Sequence, residues 1–399
     1  MFTVAFIGCG AFARFFVPLF KIHPAVKKVY VCDLIAQKAE KYSADFGVEI
    51  IPTFEEALSR RDIDAVAIFT QRHTHGPLVR QALEAGKHVY SAVPMASDVE
   101  DCMEITRLVR KTGLIYMMGE TCIYYPCALF CRREFEKGTF GKFVYGEAQY
   151  YHDFSHFSEN FRSDRPSSAV PPFYYPTHST SMLLYATSAH VLRVSAVGYR
   201  DTEENTPFAE GENLWDNPFS DEFSLMQLSN GGTARINECR RIGWKAPSSS
   251  ISAFYGTKGG YQFSNAQHVL TRLTAKGVEL ADVSAEVNPA AMTEANDGTQ
   301  DFKNRVANHM YQGDSVSPVQ REEYARIPQA LLDFPRNGHM ASHKLLVDDF
   351  CRAVRDGRQP PVDAWKAARY TIPGLIAHRS AMQGGVLLDV PDCGDGIDG

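Results

Sequence analysis

Over the first 120 residues, apolar positions fall in short unbroken runs between segments of mixed polarity. Phe2 to Ile7, Val29 to Cys32, Val48 to Ile51, Ala65 to Phe69, His88 to Ser91 and Ile115 to Met118 are such runs. Short runs of this kind, bounded by turn residues, predict strands covered on both faces. The segments between them carry helix signals. Pro77 to Ala85 is closed by Gly86, and Ser97-Asp98-Val99-Glu100 reads as a capping box opening a helix that ends at Thr112 before Gly113. Strand alternating with helix predicts a doubly wound parallel α/β sheet, the Rossmann arrangement, over residues 1–122.

Beyond this the period changes. Leu129 to Lys137 reads as a helix, Phe143 to His152 as a strand, Ser155 to Pro172 as a Pro/Ser-rich loop and Thr180 to Ala189 as a second helix. Alternating strands follow at Val194–Arg200, Glu222–Leu228, Thr233–Arg240, Ser250–Tyr255 and Gly260–Ser264, with a hairpin at Asn230-Gly231-Gly232. Ala285 to Pro335 is weakly patterned and reads as a long surface excursion, while His343 to Val354 and Trp365 to Met382 read as closing helices. Residues 123–399 are therefore expected to form one α+β domain on a large open antiparallel sheet. Apolar residues on the outer face of such a sheet suggest a homo-oligomer, a dimer or tetramer, unless the excursion covers them.

The first strand runs straight into Gly8-Cys9-Gly10-Ala11-Phe12-Ala13. Gly8 permits the tight turn, Gly10 leaves its side free for a pyrophosphate, and Ala13 is small enough for close packing on the sheet. Free N–H groups at a helix N-terminus would then hold the phosphates. Asp33 closes the second strand about 20 residues on, where a carboxylate accepts from an adenosine ribose and repels a 2′-phosphate. The cofactor expected is NAD rather than NADP. In a doubly wound sheet, the ligand lies beyond the carboxyl ends of the strands. Thr70, Gln71, His75, Ala92, Val93, Pro94 and Glu120 fall there and join the expected cofactor site.

Composition narrows the partners. The chain has 399 residues, 44% hydrophobic and 22% charged, with a net charge of −6 spread along its length. That argues against nucleic acid or an anionic membrane as the main partner and for a small molecule. No apolar run approaches the ~18 residues of a membrane span. The chain starts on a strand, so a signal peptide is not expected. Nine cysteines without CxxC spacing suggest no disulfide framework and a cytoplasmic location.

Four residues of the second half could move protons: Tyr150, His152, Tyr175 and His178. Histidine titrates near neutrality and tyrosine can relay a proton. Pro176 cannot sit inside a helix, so Tyr175-Pro176-Thr177-His178 is a rigid helix entry. His178 could equally be a capping or core histidine. His152 with His156, and His73 with His75, have ligand-like spacing but no helical face in common, and no metal is expected. Arg162, Arg165 and Arg193 could read an anionic substituent or simply be solvated.

The order of these motifs resembles the Gfo/Idh/MocA family of NAD(P)-dependent sugar and polyol oxidoreductases. Gly8 to Ala13, Thr70 to His75, Gly86-Lys87-His88-Val89 and the region His343 to Met382 carry that resemblance over nearly the whole chain. The family usually carries Glu-Lys-Pro, its lysine catalytic, where this chain has Ala92-Val93-Pro94, and an aspartate where it has Tyr174.

A narrower likeness runs through Val93-Pro94, Met117 to Glu120, Tyr124, Gly146 to Asp153 and Tyr175 to His178. These are similar to the NAD-dependent glycoside hydrolases of the superfamily, the α-N-acetylgalactosaminidases among them. Those enzymes have glutamate at Ala92 and usually glycine at Ser179. The resemblance implies transient oxidation of a ring carbon, loss of the proton on its neighbour with departure of the anomeric group, addition of water, and return of the hydride. No paired carboxylates are needed, unlike ordinary glycosidases. Three readings stay open: a glycosidase that retains NAD, a dehydrogenase that releases NADH, and a non-catalytic NAD-binding protein.

Overall fold

Six strands open the chain: β1 (Phe2–Ile7), β2 (Val26–Cys32), β3 (Glu49–Ile50), β4 (Ala65–Ile68), β5 (His88–Ser91) and β6 (Tyr116–Met118). In the computed structural model, residues 1–156, 162–242, 250–263, 268–287, 316–335 and 337–396 are described. The six strands pair in parallel in the order β3-β2-β1-β4-β5-β6, the doubly wound topology expected. Val4, Phe6, Val66 and Ile68 are fully buried. Each such side chain contributes about 1.5–3 kcal/mol.

Two local readings need correction. The helix Val99–Thr112 is capped by Asp98, whose carboxylate accepts from the N–H groups of Glu100 and Asp101; Ser97 lies outside it. Asp wins because a carboxylate also complements the helix dipole. After the glycine turn, Ala13–Phe15 forms a short 3₁₀ turn, and the α-helix starts only at Val17 with Pro18 in its first turn.

The chain divides into two units. The first holds residues 1–121, 322–371 and 392–399, the second 122–321 and 372–391. This division differs from the expectation of a single second domain from 123 to 399 in grouping residues 322–371 and 392–399 with the first unit. The helix His343–Asp356 explains why. Its Phe350 packs against Phe2, Phe20 and Tyr90. Its Asp348 accepts from His23 Nε2 at 3.2 Å, both side chains fully buried. Ala25 N–H donates to the other ring nitrogen, which fixes the His23 tautomer. These partners lie far apart in sequence, so local patterning carries no trace of them.

The second unit holds β7 (Phe143–Tyr151), β8 (Val191–Arg200), β9 (Phe219–Leu228), β10 (Thr233–Cys239), β11 (Ser250–Gly256), β12 (Gly259–Phe263), β13 (His268–Thr274), β14 (Gly277–Asp282) and β15 (Leu388–Asp389). They form one sheet in the order β14-β13-β12-β11-β7-β10-β9-β8-β15. The expected hairpin joins β9 and β10, with Gly231 N–H donating to Leu228 O. The sheet is antiparallel except at its centre, where β10 and β7 run parallel. That exception matters: the carboxyl ends of two strands distant in sequence share one edge.

The expected excursion is only partly a surface feature. Residues 288–315 lie outside the described residues, but Val319, Gln320, Tyr324, Ile327 and Leu331 are buried. Gln320 donates to Tyr124 O at 2.9 Å. On the sheet's outer face Val197, Tyr199 and Leu225 are about half exposed. None of the nine cysteines forms a disulfide, and eight are buried. Among the described residues no helix is long and apolar enough to cross a membrane.

Candidate active site

In the first unit the glycine turn has the form its sequence predicts. Gly8 has φ +98°, and a Cβ there would lie 2.5 Å from Phe69 O. Both conditions exclude a side chain. A Cβ on Gly10 would meet nothing within 4 Å, so the backbone faces open space of the kind a diphosphate needs. Asp33 has a second task, which its spacing did not reveal. Its Oδ2 accepts from Cys9 N–H at 2.7 Å and its Oδ1 from Ile35 N–H at 2.8 Å, so the carboxylate also holds the turn. Leu34 is fully exposed beside it. Cys9 is buried, and burial, with Asp33 next in effect, pushes its thiol up to about 12, so it stays protonated.

Thr70, Gln71, His75, Ala92 to Pro94 and Glu120 lie at the carboxyl ends of β4, β5 and β6. His75 is buried with both ring nitrogens on backbone carbonyls, Pro94 O at 2.8 Å and Thr70 O at 3.2 Å. A neutral ring has one N–H to donate, and the shorter distance puts it on Pro94 O, which ties the start of the helix His75–Glu84 to the loop after β5. Burial outweighs those two contacts and lowers its pKa to about 4, so the ring is neutral. Thr70 Oγ1 bonds Thr74 Oγ1 at 2.7 Å. Ala92 N–H donates to Ile68 O at 2.9 Å, which keeps Ala92-Val93-Pro94 on the sheet's end. Gln71 is exposed, and Glu120 is fully buried.

In the second unit the four proton-bearing residues come together. Tyr150 Oη bonds His152 Nδ1 at 2.9 Å, and Tyr175 Oη bonds His178 Nε2 at 3.2 Å. The Tyr150 ring centroid lies 5.0 Å from that of His178 and 6.0 Å from that of Tyr175. Tyr150 and His178 are buried; His152 and Tyr175 are partly exposed. The helix spans Thr177–Thr187, three residues earlier than expected, because Pro176 serves as its N-cap, where a missing N–H costs nothing. His178 therefore sits in its first turn.

The parallel pairing of β7 and β10 supplies the neighbours that sequence reading missed. Glu238 stands opposite Tyr150, and Glu222 of β9 opposite Glu238, all on one face. Glu238 accepts from Ser179 Oγ and faces Arg240 Nη2 at 3.4 Å. The Arg240 guanidinium, almost fully buried, lies 5.2 Å from the Tyr150 ring centroid and 6.0 Å from that of Tyr175. Glu222 accepts from Phe173 N–H at 2.7 Å and bonds His378 Nδ1 at 2.7 Å. Gly374 lets the same closing helix approach Phe173 and Pro176, where a Cβ would collide. Tyr175-Pro176-Thr177-His178 is thus held from both ends, and Ser179 has a reason to be serine. Of the arginines weighed, Arg193 pairs with exposed Asp389 at 3.1 Å; the side chains of Arg165 and His156 lie outside the described residues.

A doubly wound sheet with a glycine turn and a spaced acid defines a dinucleotide-binding fold. Comparison makes this particular: residues 2–120 match the model of the Gfo/Idh/MocA oxidoreductase family, NAD-binding Rossmann fold. A glycosyl hydrolase family 109 protein of Streptomyces filamentosus is 24% identical, covering 98% of this chain and 76% of its own. An α-N-acetylgalactosaminidase of Shewanella oneidensis is 34% identical, but over 33% of this chain and only 28% of its own length. Levoglucosan dehydrogenase, solved with NADH and levoglucosan, shares the fold at a TM-score of 0.72 and 15% identity, over 98% of this chain and all of that one. NAD is the cofactor the first unit is built for.

Proposed function

We propose that this chain acts on a ring hydroxyl of a carbohydrate with NAD as cofactor, as a redox-neutral glycosidase that keeps its dinucleotide. When bound, NAD supplies a hydride acceptor for a ring carbon. One observation carries the reading: two phenols, each hydrogen-bonded to an imidazole, gathered around the Tyr150 ring. Each pair can accept one proton and return it, which is what oxidation followed by elimination requires. Tyr175 with His178 takes the proton of the hydroxyl at the oxidised carbon. Tyr150 with His152 takes the proton from the adjacent carbon and returns one to the departing anomeric oxygen. Arg240, paired with Glu238, lies over both phenol rings and holds them in place. The family 109 relatives support this reading.

The levoglucosan dehydrogenase likeness favours the second reading, a dehydrogenase that releases NADH. A proton NMR time course in D2O, with a panel of simple glycosides, separates them. Release of the aglycone with deuterium at the carbon beside the oxidised one, and no net NADH, is expected. A keto-sugar accumulating with NADH and requiring added NAD would establish the dehydrogenase instead. No turnover of any sugar, with NAD bound, would favour the non-catalytic protein.

The unpaired cysteines suit a reducing, cytoplasmic location. Val197, Tyr199 and Leu225 suit burial against a second copy. A dimer or tetramer by light scattering that Leu225→Glu dissociates would support that assembly.

A further inference from the structure

We propose that Tyr42 is a positioning residue for the dinucleotide: its hydroxyl sets the Gly10–Ala11 peptide so that the Ala11 N–H faces the cofactor's diphosphate. No motif marks Tyr42, which lies in the second turn of the helix Ala36–Phe46. Its Oη donates to Gly10 O. A carbonyl oxygen can only accept. Burial, with Cys9 next in effect, pushes the Tyr42 hydroxyl well above its ordinary range, so the proton stays on it.

The consequence lies in the peptide. A trans peptide is planar, so its C=O and N–H point to opposite sides. Gly10–Ala11 is trans, and with Gly10 O held by Tyr42 the Ala11 N–H points away from that ring. Ala11 is exposed, and a Cβ on Gly10 would meet nothing within 4 Å, so the turn is open there. The other N–H groups of the turn divide in the same way. Gly8 N–H donates to Cys32 O at 2.8 Å and Cys9 N–H to Asp33 Oδ2 at 2.7 Å. Those of Gly10, Ala11 and Phe12 have no partner among the described residues. Two amides are thus spent on shaping the turn, and the next three remain for the anion that such a turn binds.

Gly10 needs such a brace. Without a side chain it admits a diphosphate, and for the same reason its peptide turns over at little cost. A flipped peptide would aim the Gly10 carbonyl oxygen at the diphosphate, and the two oxygens would repel. Tyr42 removes that alternative before the ligand arrives, which lowers the cost of binding. The tyrosine is itself held. It is buried, and its ring packs edge-on against Phe46 with centroids 5.3 Å apart. The Arg14 guanidinium lies 5.4 Å from the Tyr42 ring centroid and 5.1 Å from that of Phe46, and it pairs with Asp45 at 2.7 Å. Asp33 completes the arrangement. Its two oxygens accept from Cys9 N–H in the turn and from Ile35 N–H at the entry to the helix that carries Tyr42.

The proposal rests on the cofactor site alone and stands or falls separately from the sugar chemistry. Titration calorimetry with NAD, ADP-ribose and adenosine tests it on the native chain and on Tyr42→Phe, which keeps the ring and loses only the hydroxyl. Where dinucleotide co-purifies, competition against labelled NAD gives the same ratios. NAD and ADP-ribose should bind Tyr42→Phe about fivefold more weakly, the scale of one hydrogen bond. Adenosine, which carries no phosphate, should change less than twofold. Unchanged NAD and ADP-ribose affinity would overturn the proposal. So would an equal loss for adenosine, which would mean that the hydroxyl acts only through folding. The native chain gives a second test that needs no variant. In amide NMR spectra of isotope-labelled protein, ADP-ribose should shift the Ala11 N–H resonance and adenosine should leave it in place. An Ala11 resonance that ADP-ribose does not move would overturn the proposal as well.

Discussion

The glycine turn of the first unit and the tyrosine–histidine cluster of the second are built on opposite plans. The turn is more nearly contiguous: Gly8 to Ala13 form it and Asp33 braces it, with Phe69 against Gly8 and Tyr42 donating to Gly10 O as its distant neighbours. The cluster is assembled from the ends of β7 and β10, a helix entry and a closing helix, and its charges are paired out of water. A contiguous site survives damage elsewhere in the fold. An assembled one depends on each buried partner, so substitutions should separate the two.

The largest effect should come from the proton carriers themselves. Tyr150→Phe and His178→Ala should each lower kcat by roughly 10²–10⁴-fold, while NAD affinity, set in the other unit, stays within twofold. Full activity in either variant would remove that residue from the mechanism, and lost NAD binding would show that the two sites are not separable.

Second in size is the buried pair beneath them. Glu238→Gln leaves the Arg240 charge buried against two aromatic rings, and breaking such a pair costs about 3–5 kcal/mol. Urea unfolding should show that loss. Adding Arg240→Met should restore part of the stability but not the activity. Equal stability of the Glu238→Gln protein would mean that the pair contributes no specificity to the fold.

The same contrast explains what could be read in advance. The parallel sheet, the glycine turn and the candidates Tyr150, His152, Tyr175 and His178 follow from local pattern. Glu222, Glu238, Arg240 and His378 do not, because only strand pairing and a returning helix bring them together. Likewise His23 gives no local sign of Asp348, so the grouping of residues 322–371 with the first unit has no local signal. Strands β13 and β14 are not among the sequence expectations; Val278 and Leu280 of β14 do alternate with polar Glu279, but both are exposed, so that pattern marks no core face. Departures from motif were informative too. Ser179, where the glycosidase resemblance implies glycine, is the donor to Glu238.

A third, smaller effect separates the units by pH. His75 is neutral in the fold, its pKa depressed to about 4 from 6.5 by burial. A histidine with a depressed folded value binds fewer protons than the unfolded chain between those values. Its stabilisation is therefore complete above pH 6.5 and lost as pH falls towards 4, by roughly 3 kcal/mol in all. His343, also depressed, adds to the same acid limb. Between pH 7 and pH 4, His75→Gln should lose roughly 3 kcal/mol less stability than the parent chain in urea titrations. An identical acid limb would mean that His75 is not the group responsible.

The smallest effect tests how far the contiguous turn really stands alone. Asp33 both braces Cys9 N–H and is placed to accept from an adenosine ribose. Asparagine and serine divide these roles. Asp33→Asn keeps the size and one carbonyl oxygen but removes the charge, so repulsion of a 2′-phosphate falls while the brace on Ile35 N–H can persist. Asp33→Ser removes both carboxylate contacts. NAD affinity should fall by about threefold in the first and about tenfold in the second, roughly 0.7 and 1.4 kcal/mol. The preference for NAD over NADP should narrow in both. If both variants lost NAD affinity equally, the charge alone would matter and the backbone brace would be incidental. If serine also weakened catalysis with saturating NAD, the first unit's turn would influence chemistry beyond binding, and the separation of the two sites would fail at its simplest point.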